Sequence, residues 1–385
     1  MLRIGLLLPR STLFPSLGLD FNNGIKEFLK SYVINDDVSF IMDNIGFGIN
    51  EQEVYTKAEK MLLQDDVDVV ILFADSRIAE LLQPLFTACH KILLVVNFGA
   101  NFPENWTPAP TTITHSLNFC WHARLTGQLA ARETNQQAVY AVSYYDGGYR
   151  QCFCMLNAHQ LLGGTPRKYH ITHLKSDQFN LDPLATFLEE NIDVNTLLCL
   201  FAGDQAELFY KEVVPLQKKF NLTLYVSPMM LDEALTTSLK DVVGINNTKG
   251  YIPWHSSLIN EVNDKFKKHY TESTGQPVNY FSLLGWETGL LLKEILLQQT
   301  SGNKNTAAII SSLKEISFAS PRGWFKIDAQ TNHSYGPSYL ADIKEQEDVR
   351  IENEFAHADE EWRAFTEEKL NAGESSSWRN TYLCI

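Results

Sequence analysis

The amino-acid sequence predicts an α/β fold with two doubly wound parallel-sheet lobes that are joined by a three-segment hinge. Seven near-continuous Val/Ile/Leu runs alternate with amphipathic helical patterns between Leu2 and about Lys240. Such runs are typical of parallel strands that are covered on both faces, and the helices between them provide the crossover connections. A chain of 385 residues also exceeds one typical hydrophobic core, so two lobes are expected.

The predicted strands fall into two series that are separated by a loop. Residues 99–111 are rich in Pro, Asn and Thr and predict this loop, and a helix over 118–133 follows it. In the first series the strands are 2–8, 38–44, 67–73 and 91–97, and the helices lie near 18–32, 51–64 and 76–90. In the second series the strands are 137–144, 196–202 and 223–228. Because each series alternates strand and helix, each predicts its own sheet.

After a short helix near 231–239, the pattern changes to long helices and a hairpin. Helices are predicted over 256–275, 279–300 and 306–316, a hairpin over 321–345 and a last helix over 359–374. Extended segments near 115–120, 246–252 and 325–335 are expected to connect the lobes and to act as the hinge. The predicted lobe one holds residues 1–117 and 250–325, and the predicted lobe two holds residues 118–249 and 326–385.

Charge and composition argue against several classes of partner. The net charge is −14, whereas nucleic acids and anionic membranes are bound through Lys and Arg, so neither partner is expected. No window of about 18 apolar residues exists, so direct insertion into a membrane is not expected. The first strand begins at Leu2 without a signal-peptide pattern, which leaves a removed signal or a cytoplasmic protein open. The six cysteines lack CxxC and framework spacing and indicate free thiols.

Motifs for catalysis or for a cofactor are absent from the sequence. GxSxG and GxxxxGK[ST] do not occur, and Gly46-Phe47-Gly48 lacks the third glycine of a dinucleotide fingerprint. His170 and His173 point to opposite faces of an extended segment, and Cys152 and Cys154 have the wrong spacing for a zinc knuckle. We therefore expect no enzymatic activity, no cofactor and no metal.

The loops that follow the predicted strands are where function is expected. In doubly wound sheets, ligands bind outside the carboxyl ends of the strands. Small hydroxyl and amide groups in these loops can hold ligand oxygens, and aromatic side chains can provide apolar walls. Helix capping is the structural alternative, and Ser76, Asp146 and Asp204 would each be good caps without any ligand.

Four stretches of the sequence resemble one family. Residues 4–29 are similar to its opening strand, ligand loop and helix, and YYDGGYRQCF (144–153) to the loop that opens its second lobe. Residues 276–296 resemble its late helix, and the hairpin SPRGWFKIDAQTNHSYGPSYLADI (320–343) is the most specific match. The family is that of the type I periplasmic binding proteins, in the leucine-binding-protein-like branch that binds branched-chain amino acids, amides and urea.

The resemblance implies a solute receptor of an ABC transporter. Such a receptor closes two lobes around an amino-acid-like molecule, an amide or an aromatic acid, and it does so without catalysis. Its implied partners are the small molecule and the membrane subunits of the transporter, and its implied location is the periplasm. The alternative is a cytoplasmic amide-type sensor that signals to a protein partner, which the missing signal pattern and the free thiols favour.

Two departures from the family bear on the ligand. Amino-acid binders of the family place an acidic residue after the strand that corresponds to 223–228, where this chain has Met229 and Met230. Phe98 also replaces a small residue, so free leucine or valine should bind poorly, and a neutral amide or an aromatic acid should fit better. The ligand-binding residues predicted on these grounds are Ser11, Thr12, Phe14, Asp75, Ser76, Asn97, Phe98, Gly99, Tyr145, Asp146, Tyr149, Asp204, Gln205, Met229 and Tyr280.

Overall fold

A computed structural model describes residues 1–134, 137–239, 242, 244–303, 305–344, 348–368 and 376–384. The first part of the chain forms a parallel sheet that is covered by helices. Its strands are β1 (Leu2–Leu8), β2 (Val38–Asn44), β3 (Val69–Phe73), β4 (Ile92–Asn97) and β5 (Thr112–Ser116). Its helices are α1 (Leu17–Ser31), α2 (Glu51–Leu63) and α3 (Ser76–Cys89). The strand order β2-β1-β3-β4-β5 is doubly wound, as predicted.

The second strand–helix series forms a second sheet. Its strands are β6 (Gln137–Val142), β7 (Thr165–Ile171), β8 (Thr196–Leu200), β9 (Thr223–Val226) and β10 (Thr248–Ile252). Its helices are α4 (Phe119–Glu133), α5 (Arg150–Leu161), α6 (Asp182–Glu190), α7 (Gly203–Phe220) and α8 (Glu233–Ser238). The bodies around the first and second sheets are called lobe one and lobe two below.

The remaining elements complete both lobes. They are α9 (Glu261–Thr274), α10 (Tyr280–Thr300), α11 (Thr306–Lys314), β11 (Ser317–Ser320), β12 (Gly323–Ile327), β13 (Ser334–Tyr335), β14 (Tyr339–Ile343), β15 (Arg350–Glu354) and α12 (Ala358–Glu367). Helix α10 packs on α1 in lobe one, and β14 and β15 extend the second sheet to the order β15-β14-β10-β9-β8-β6-β7. Strands β11, β12 and β13 form a small antiparallel sheet.

The chain passes between the two larger sheets three times. The crossings follow β5, β10 and β13, at residues 117–118, 253–260 and 336–338. The second crossing lies after the predicted segment 246–252, because β10 itself pairs with β9 and β14 in the second sheet. The third crossing lies after the predicted segment 325–335, because β12 and β13 pair with each other and His333 bridges to Thr114 of β5.

Several element boundaries differ from the sequence-based prediction. Strand β7 was not predicted as part of the strand rhythm, because this edge strand alternates exposed and half-buried residues and carries basic side chains. Helix α9 begins at Glu261 rather than at 256, because the Asn260 side chain accepts a hydrogen bond from the Asn263 amide (2.8 Å) and caps the helix. Of the predicted last helix, residues 369–374 lie outside the described residues, as does residue 345 of the predicted hairpin.

Candidate functional site

The cleft between the carboxyl edges of the two sheets holds residues 376–384 of the chain itself, called the cleft segment below. It lies against the loops after β1, β2 and β6 and against the first turn of α3. Its residues from Asn380 to Cys384 are buried, and Leu383 and Cys384 are fully inaccessible to solvent. The region in which a ligand was predicted is therefore lined on one side by this segment.

Tyr382 is the centre of the contacts between the cleft segment and lobe two. Its hydroxyl donates to Asp146 Oδ1 at 2.6 Å, and its ring stacks on that of Tyr145 with 6.0 Å between the centroids and 8° between the planes. The Tyr149 ring packs edge-on against the Tyr382 ring, with 4.8 Å between the two centroids. Phe98 and Phe119 approach the same ring at 6.5 and 6.4 Å. A single phenol thus has aromatic walls and a carboxylate partner.

The loop after β6 holds the rest of the cleft segment through its backbone and its hydroxyls. The Trp378 indole donates to the Tyr145 carbonyl at 2.7 Å, and the Ser377 amide donates to the Gly148 carbonyl at 2.9 Å. The Leu383 amide donates to the Tyr145 hydroxyl at 2.9 Å. Because backbone groups on both sides are paired, the segment satisfies polar groups that would otherwise be buried without partners.

Lobe one contacts the cleft segment from the opposite side. The Ser11 hydroxyl donates to the Leu383 carbonyl, and the Arg77 guanidinium donates to the Trp378 carbonyl. The Thr381 amide donates to the Phe47 carbonyl at 3.3 Å. The segment therefore bridges the two lobes.

Electrostatics favour a hydrogen-bond donor beside Asp146. Burial raises the pKa of this carboxyl above its usual range, although hydrogen bonds from Ser143 (2.5 Å) and Tyr382 oppose the shift. Burial likewise raises the pKa of the Tyr382 hydroxyl, so it stays protonated and donates. The neighbouring Tyr145 and Tyr149 hydroxyls are also kept neutral by burial, with raised pKa values. The Tyr382 phenol is thus held as a neutral hydrogen-bond donor beside Asp146.

The structure brings eight of the predicted residues to this region. Ser11, Tyr145, Asp146 and Tyr149 form hydrogen bonds with the cleft segment, and Phe98 contacts Tyr382. Met229, Tyr280 and Phe14 belong to the same apolar cluster as Tyr382 or pack against it. The Tyr280 hydroxyl donates to the Trp254 carbonyl at 3.3 Å.

The other predicted residues of lobe one serve its own loops. Asp75 caps α3 and accepts from Asn101 Nδ2 at 2.6 Å, and the Ser76 hydroxyl contacts the same carboxylate. Asn97 ties the Ala74 carbonyl to the Gly99 amide, at 3.2 and 2.9 Å. Gly99 adopts a φ of +69°, and Thr12 is exposed. None of these residues has a recorded contact with the described cleft segment.

In lobe two, Asp204 and Gln205 also serve local structure. The Ser176 hydroxyl donates to the Asp204 carboxylate. Gln205 accepts from the Thr172 hydroxyl at 2.6 Å and donates to the carbonyls of His173 and Leu174. Both residues tie the first turn of α7 to the loop after β7. The N-cap of α7 is Ala202 and no side chain caps the helix, so the predicted cap at Asp204 is wrong.

Several residues of the site were not singled out from the sequence. They are Phe47, Arg77, Phe119, Gly148, Trp378, Asn380 and Tyr382. Phe119 begins α4 directly after the first crossing, a position that the strand-exit argument did not cover. For the cleft segment, the available signal was the aromatic and apolar composition of Trp378, Tyr382 and Leu383 after a Ser-rich stretch.

The chain belongs to the periplasmic binding protein family. A family model described as periplasmic binding protein matches residues 1–348, which is most of the sequence. No curated protein matches the sequence significantly. Within the described residues, none of the helices combines the length and the apolar character that a membrane span requires.

Solved structures of solute-binding proteins share the fold. The solute-binding protein of an ABC transporter from R. palustris, in complex with benzoate, is 19% identical with a TM-score of 0.73, and the match covers 92% of this chain and 96% of that chain. An ABC-transporter substrate-binding protein from Sphaerobacter thermophilus is 14% identical with a TM-score of 0.78, and the match covers 93% of this chain and 98% of that chain. The leucine-binding protein LivK from Thermotoga maritima is 14% identical with a TM-score of 0.69, covering 93% and 100%.

Proposed function

We propose that this protein is an extracytoplasmic solute receptor that binds a small aromatic acid or amide in the cleft between its lobes. Binding is non-covalent, and the lobes close around the solute by rotation about the three crossings. The closed receptor then delivers the solute to the membrane subunits of an ABC transporter. The observation that carries the proposal is the set of aromatic walls that Tyr145, Tyr149, Phe98 and Phe119 form around the Tyr382 ring in the cleft of a periplasmic binding protein.

The walls of this pocket favour a ring over an aliphatic chain. Aromatic pairs gain about 0.5–1.5 kcal/mol beyond the burial of their area, and the pocket offers both stacked and edge contacts. Met229 lies in the same cluster, where amino-acid binders of the family have an acidic partner for the ammonium group. An ammonium ion without a partner loses several kcal/mol on burial, so leucine and valine should bind poorly. Neighbouring structures in complex with benzoate and 4-hydroxybenzoate support an aromatic acid.

The test is a thermal-shift screen followed by calorimetry. The panel consists of benzoate, 4-hydroxybenzoate, benzamide, phenylalanine and leucine, and the bound molecule is recovered and weighed by mass spectrometry. We expect the aromatic acid or amide to raise the melting temperature and to be recovered unchanged. In a variant without the competing Tyr382 side chain, Ser11→Ala should weaken binding of the solute, whereas Thr12→Ala, an exposed hydroxyl in the same loop, should not. Micromolar binding of leucine that survives Asp75→Ala and Asp204→Ala would contradict the proposal.

Hinge closure has a separate test by small-angle scattering. Saturation with the solute should lower the radius of gyration of an open receptor, because the lobes rotate towards each other while each core stays intact. The radius of gyration with and without solute is best compared in a variant whose cleft segment has lost contacts with the lobes, because this segment bridges the two lobes. An unchanged radius in that variant at saturation would contradict closure.

A further inference from the structure

We propose that Tyr382 occupies a subsite for a hydroxylated aromatic ring, and that residues 376–384 are an intramolecular ligand which the solute displaces. This inference rests on the proposed function for the solute, but the occupation of the cleft by the segment can be tested without any solute. It names both the chemical class that the subsite takes and the regulation of the same site.

The geometry around Tyr382 specifies a phenol rather than a plain ring. The hydroxyl donates at 2.6 Å to Asp146, a carboxylate that is 3% exposed and that also accepts from Ser143 at 2.5 Å. A ring without a hydroxyl would take away one of the donors of this buried carboxylate. Sites built to hydrogen-bond a substrate hydroxyl reject the analogue that lacks it, because the buried polar group is then unpaired. The ring itself is held by the stack on Tyr145.

The cleft segment is held by loop contacts and by apolar burial, not by pairing in a sheet. Its described residues make no β-ladder with either sheet, and its hydrogen bonds are single bonds to loops and to the first turn of α3. Tyr382, Leu383 and Cys384 also pack in the apolar cluster of lobe one, so a solute must replace this buried surface as well as the hydrogen bonds. Ser377 and Arg379 are exposed, whereas the chain turns inward from Asn380 onwards. A tethered ligand of this kind has an effective concentration in the millimolar range, so it raises the apparent dissociation constant of a competitor without binding tightly.

The segment also holds the lobes together when no solute is present. Its Leu383 carbonyl accepts from Ser11 of lobe one, and its Leu383 amide donates to Tyr145 of lobe two. One residue thus joins the loops after β1 and β6. A solute that replaces Tyr382 must break this bridge, so solute binding and release of the segment are coupled.

The first experiment measures binding of 4-hydroxybenzoate and benzoate to full-length variants by calorimetry. Tyr382→Ala should bind 4-hydroxybenzoate at least about tenfold more tightly than the unmodified chain, because the competing phenol is gone. Tyr382→Phe keeps the ring and should show a smaller gain in affinity for 4-hydroxybenzoate. This variant replaces Tyr382→Ala in the test if the alanine variant folds poorly. Arg379→Ala, an exposed position in the same segment, should not change the affinity. Within Tyr382→Ala, 4-hydroxybenzoate should bind at least about tenfold more tightly than benzoate.

The second experiment needs no solute. A synthetic peptide of residues 376–384, SSWRNTYLC, is titrated into the full-length Tyr382→Ala protein, and the same peptide with alanine in place of tyrosine serves as the control. We expect the first peptide to bind and the control to bind at least about tenfold more weakly. Hydrogen exchange of the unmodified chain should show protected amides at Thr381 and Leu383, and 4-hydroxybenzoate should remove that protection.

The outcomes separate this inference from the proposed function. Equal affinity of the unmodified chain and Tyr382→Ala for 4-hydroxybenzoate overturns the inference and leaves the receptor function standing. Binding of the peptide without binding of either aromatic acid supports the intramolecular ligand and counts against the proposed function. A preference for benzoate over 4-hydroxybenzoate overturns the phenol subsite. Failure of the peptide to bind, together with unprotected amides in the segment, overturns the intramolecular ligand.

Discussion

The loops after β3 and β4 in lobe one and the loop after β6 in lobe two use similar polar residues in opposite ways. In lobe one, Asp75 caps the next helix and Asn97 ties its own backbone together. In lobe two, Asp146 accepts from Tyr382 and Tyr145 pairs with Leu383, far along the chain. The position after a parallel strand therefore provides access to the cleft, and the local backbone decides whether a side chain is available for binding.

The difference has a local structural cause. After β3, helix α3 begins at Ser76, so Asp75 is the N-cap residue and its carboxylate serves the first turn. After β6, a short 3-10 turn (Asp146–Gly148) separates the strand from α5. Tyr145, Asp146 and Tyr149 lie in or beside this turn and contact the cleft segment, and the Ser143 hydroxyl accepts from the Asp146 amide (2.8 Å).

The largest loss of stability is expected for Gly99→Ala. This variant tests whether the loop after β4 in lobe one has a structural role. Gly99 has a φ of +69°, and an added Cβ would lie 2.7 Å from Asn118 Cα and 2.6 Å from Ser116 Oγ. The left-handed conformation and the clash with backbone together should lower the free energy of unfolding by about 2–4 kcal/mol. Urea denaturation measures this loss.

Gly46→Ala is the matched control, because Gly46 has a φ of +61° but no atom within 4 Å of the added Cβ. Its free energy of unfolding should fall by only about 1 kcal/mol, which is the cost of the left-handed backbone conformation alone. Equal losses in the two variants would show that the close approach of the chain at Gly99 does not matter. A large loss of solute affinity without a loss of stability in Gly99→Ala would break the contrast between the loops.

The second prediction concerns Asp232. It tests whether an acidic residue after another strand of lobe two serves its own helix, as Asp75 does in lobe one, or contacts the cleft segment, as Asp146 does. Asp232 follows β9 and caps α8, and its carboxylate accepts from the Ala234 amide at 3.1 Å. Burial raises the pKa of this carboxyl to about 6, and the neighbouring Glu233 adds to the shift. Above pH 6 the folded protein must therefore hold a buried carboxylate, which lowers its stability. As the pH falls through 6 towards the unfolded value near 4, this cost disappears.

Asp232→Asn keeps the capping oxygen and removes the ionisable group. Since one pKa unit corresponds to about 1.4 kcal/mol and the pKa is raised by about two units, the variant should be more stable than the unmodified chain by up to about 3 kcal/mol at pH 7.5 and about equally stable at pH 4. Urea denaturation at both pH values measures the difference. A variant that is less stable at pH 7.5 would show that the carboxylate is compensated and that its pKa is not raised.

The third prediction uses Gly148, at which the lobe-two loop touches the cleft segment. An added Cβ would lie 1.8 Å from Trp378 Nε1, so Gly148→Ala should displace the indole. We expect faster hydrogen exchange of residues 380–384, a change of less than about 1 kcal/mol in the stability of the lobes, and several-fold tighter binding of 4-hydroxybenzoate. Gly147→Ala, whose Cβ would lie 3.3 Å from Val142 Cγ2, is the control in the same turn. Equal exchange rates in both variants would contradict the seating of Trp378 on this loop.

Hydrophobic pattern was sufficient to predict most of the fold. Strands β1 and β2 have the bounds that the apolar runs predict. β1 lies inside the covered sheet and is apolar on both faces, and β2, although it lies at the edge and is mostly half-buried, keeps an apolar run. Strand β7 was not recognised because its residues Thr165–Ile171 lie at the sheet edge, where polar side chains are tolerated. The two-lobe organisation followed from the pause between the strand series. The proposed boundaries of the lobes stay a prediction.

The site was only partly predictable, for two physical reasons. Strand-exit position predicted Ser11, Tyr145 and Tyr149, which contact the cleft segment, but it could not tell a side chain that faces the cleft from one that caps a helix, as Asp75 does. The contact between Tyr382 and Asp146 joins residues 236 positions apart. Periodicity reports only on neighbours within an element, so a long-range contact of this kind leaves no local pattern.

The smallest effect on solute affinity is expected for Asp75→Ala, which tests the comparison between the loops after β3 and β6 most directly. The carboxylate accepts from the Arg77 amide at 3.1 Å as the cap of α3 and from Asn101 at 2.6 Å. Loss of such a cap lowers the free energy of unfolding by about 1 kcal/mol, and Asp75→Asn, which keeps a capping oxygen, should lose less. The affinity of Tyr382→Ala for 4-hydroxybenzoate should change less than about twofold when Asp75→Ala is added, since additive effects are expected for groups without a shared contact. A tenfold loss of affinity with unchanged stability would mean that the loop after β3 contacts the solute directly. The contrast between Asp75 as a helix cap and Asp146 as a binding residue would then be wrong.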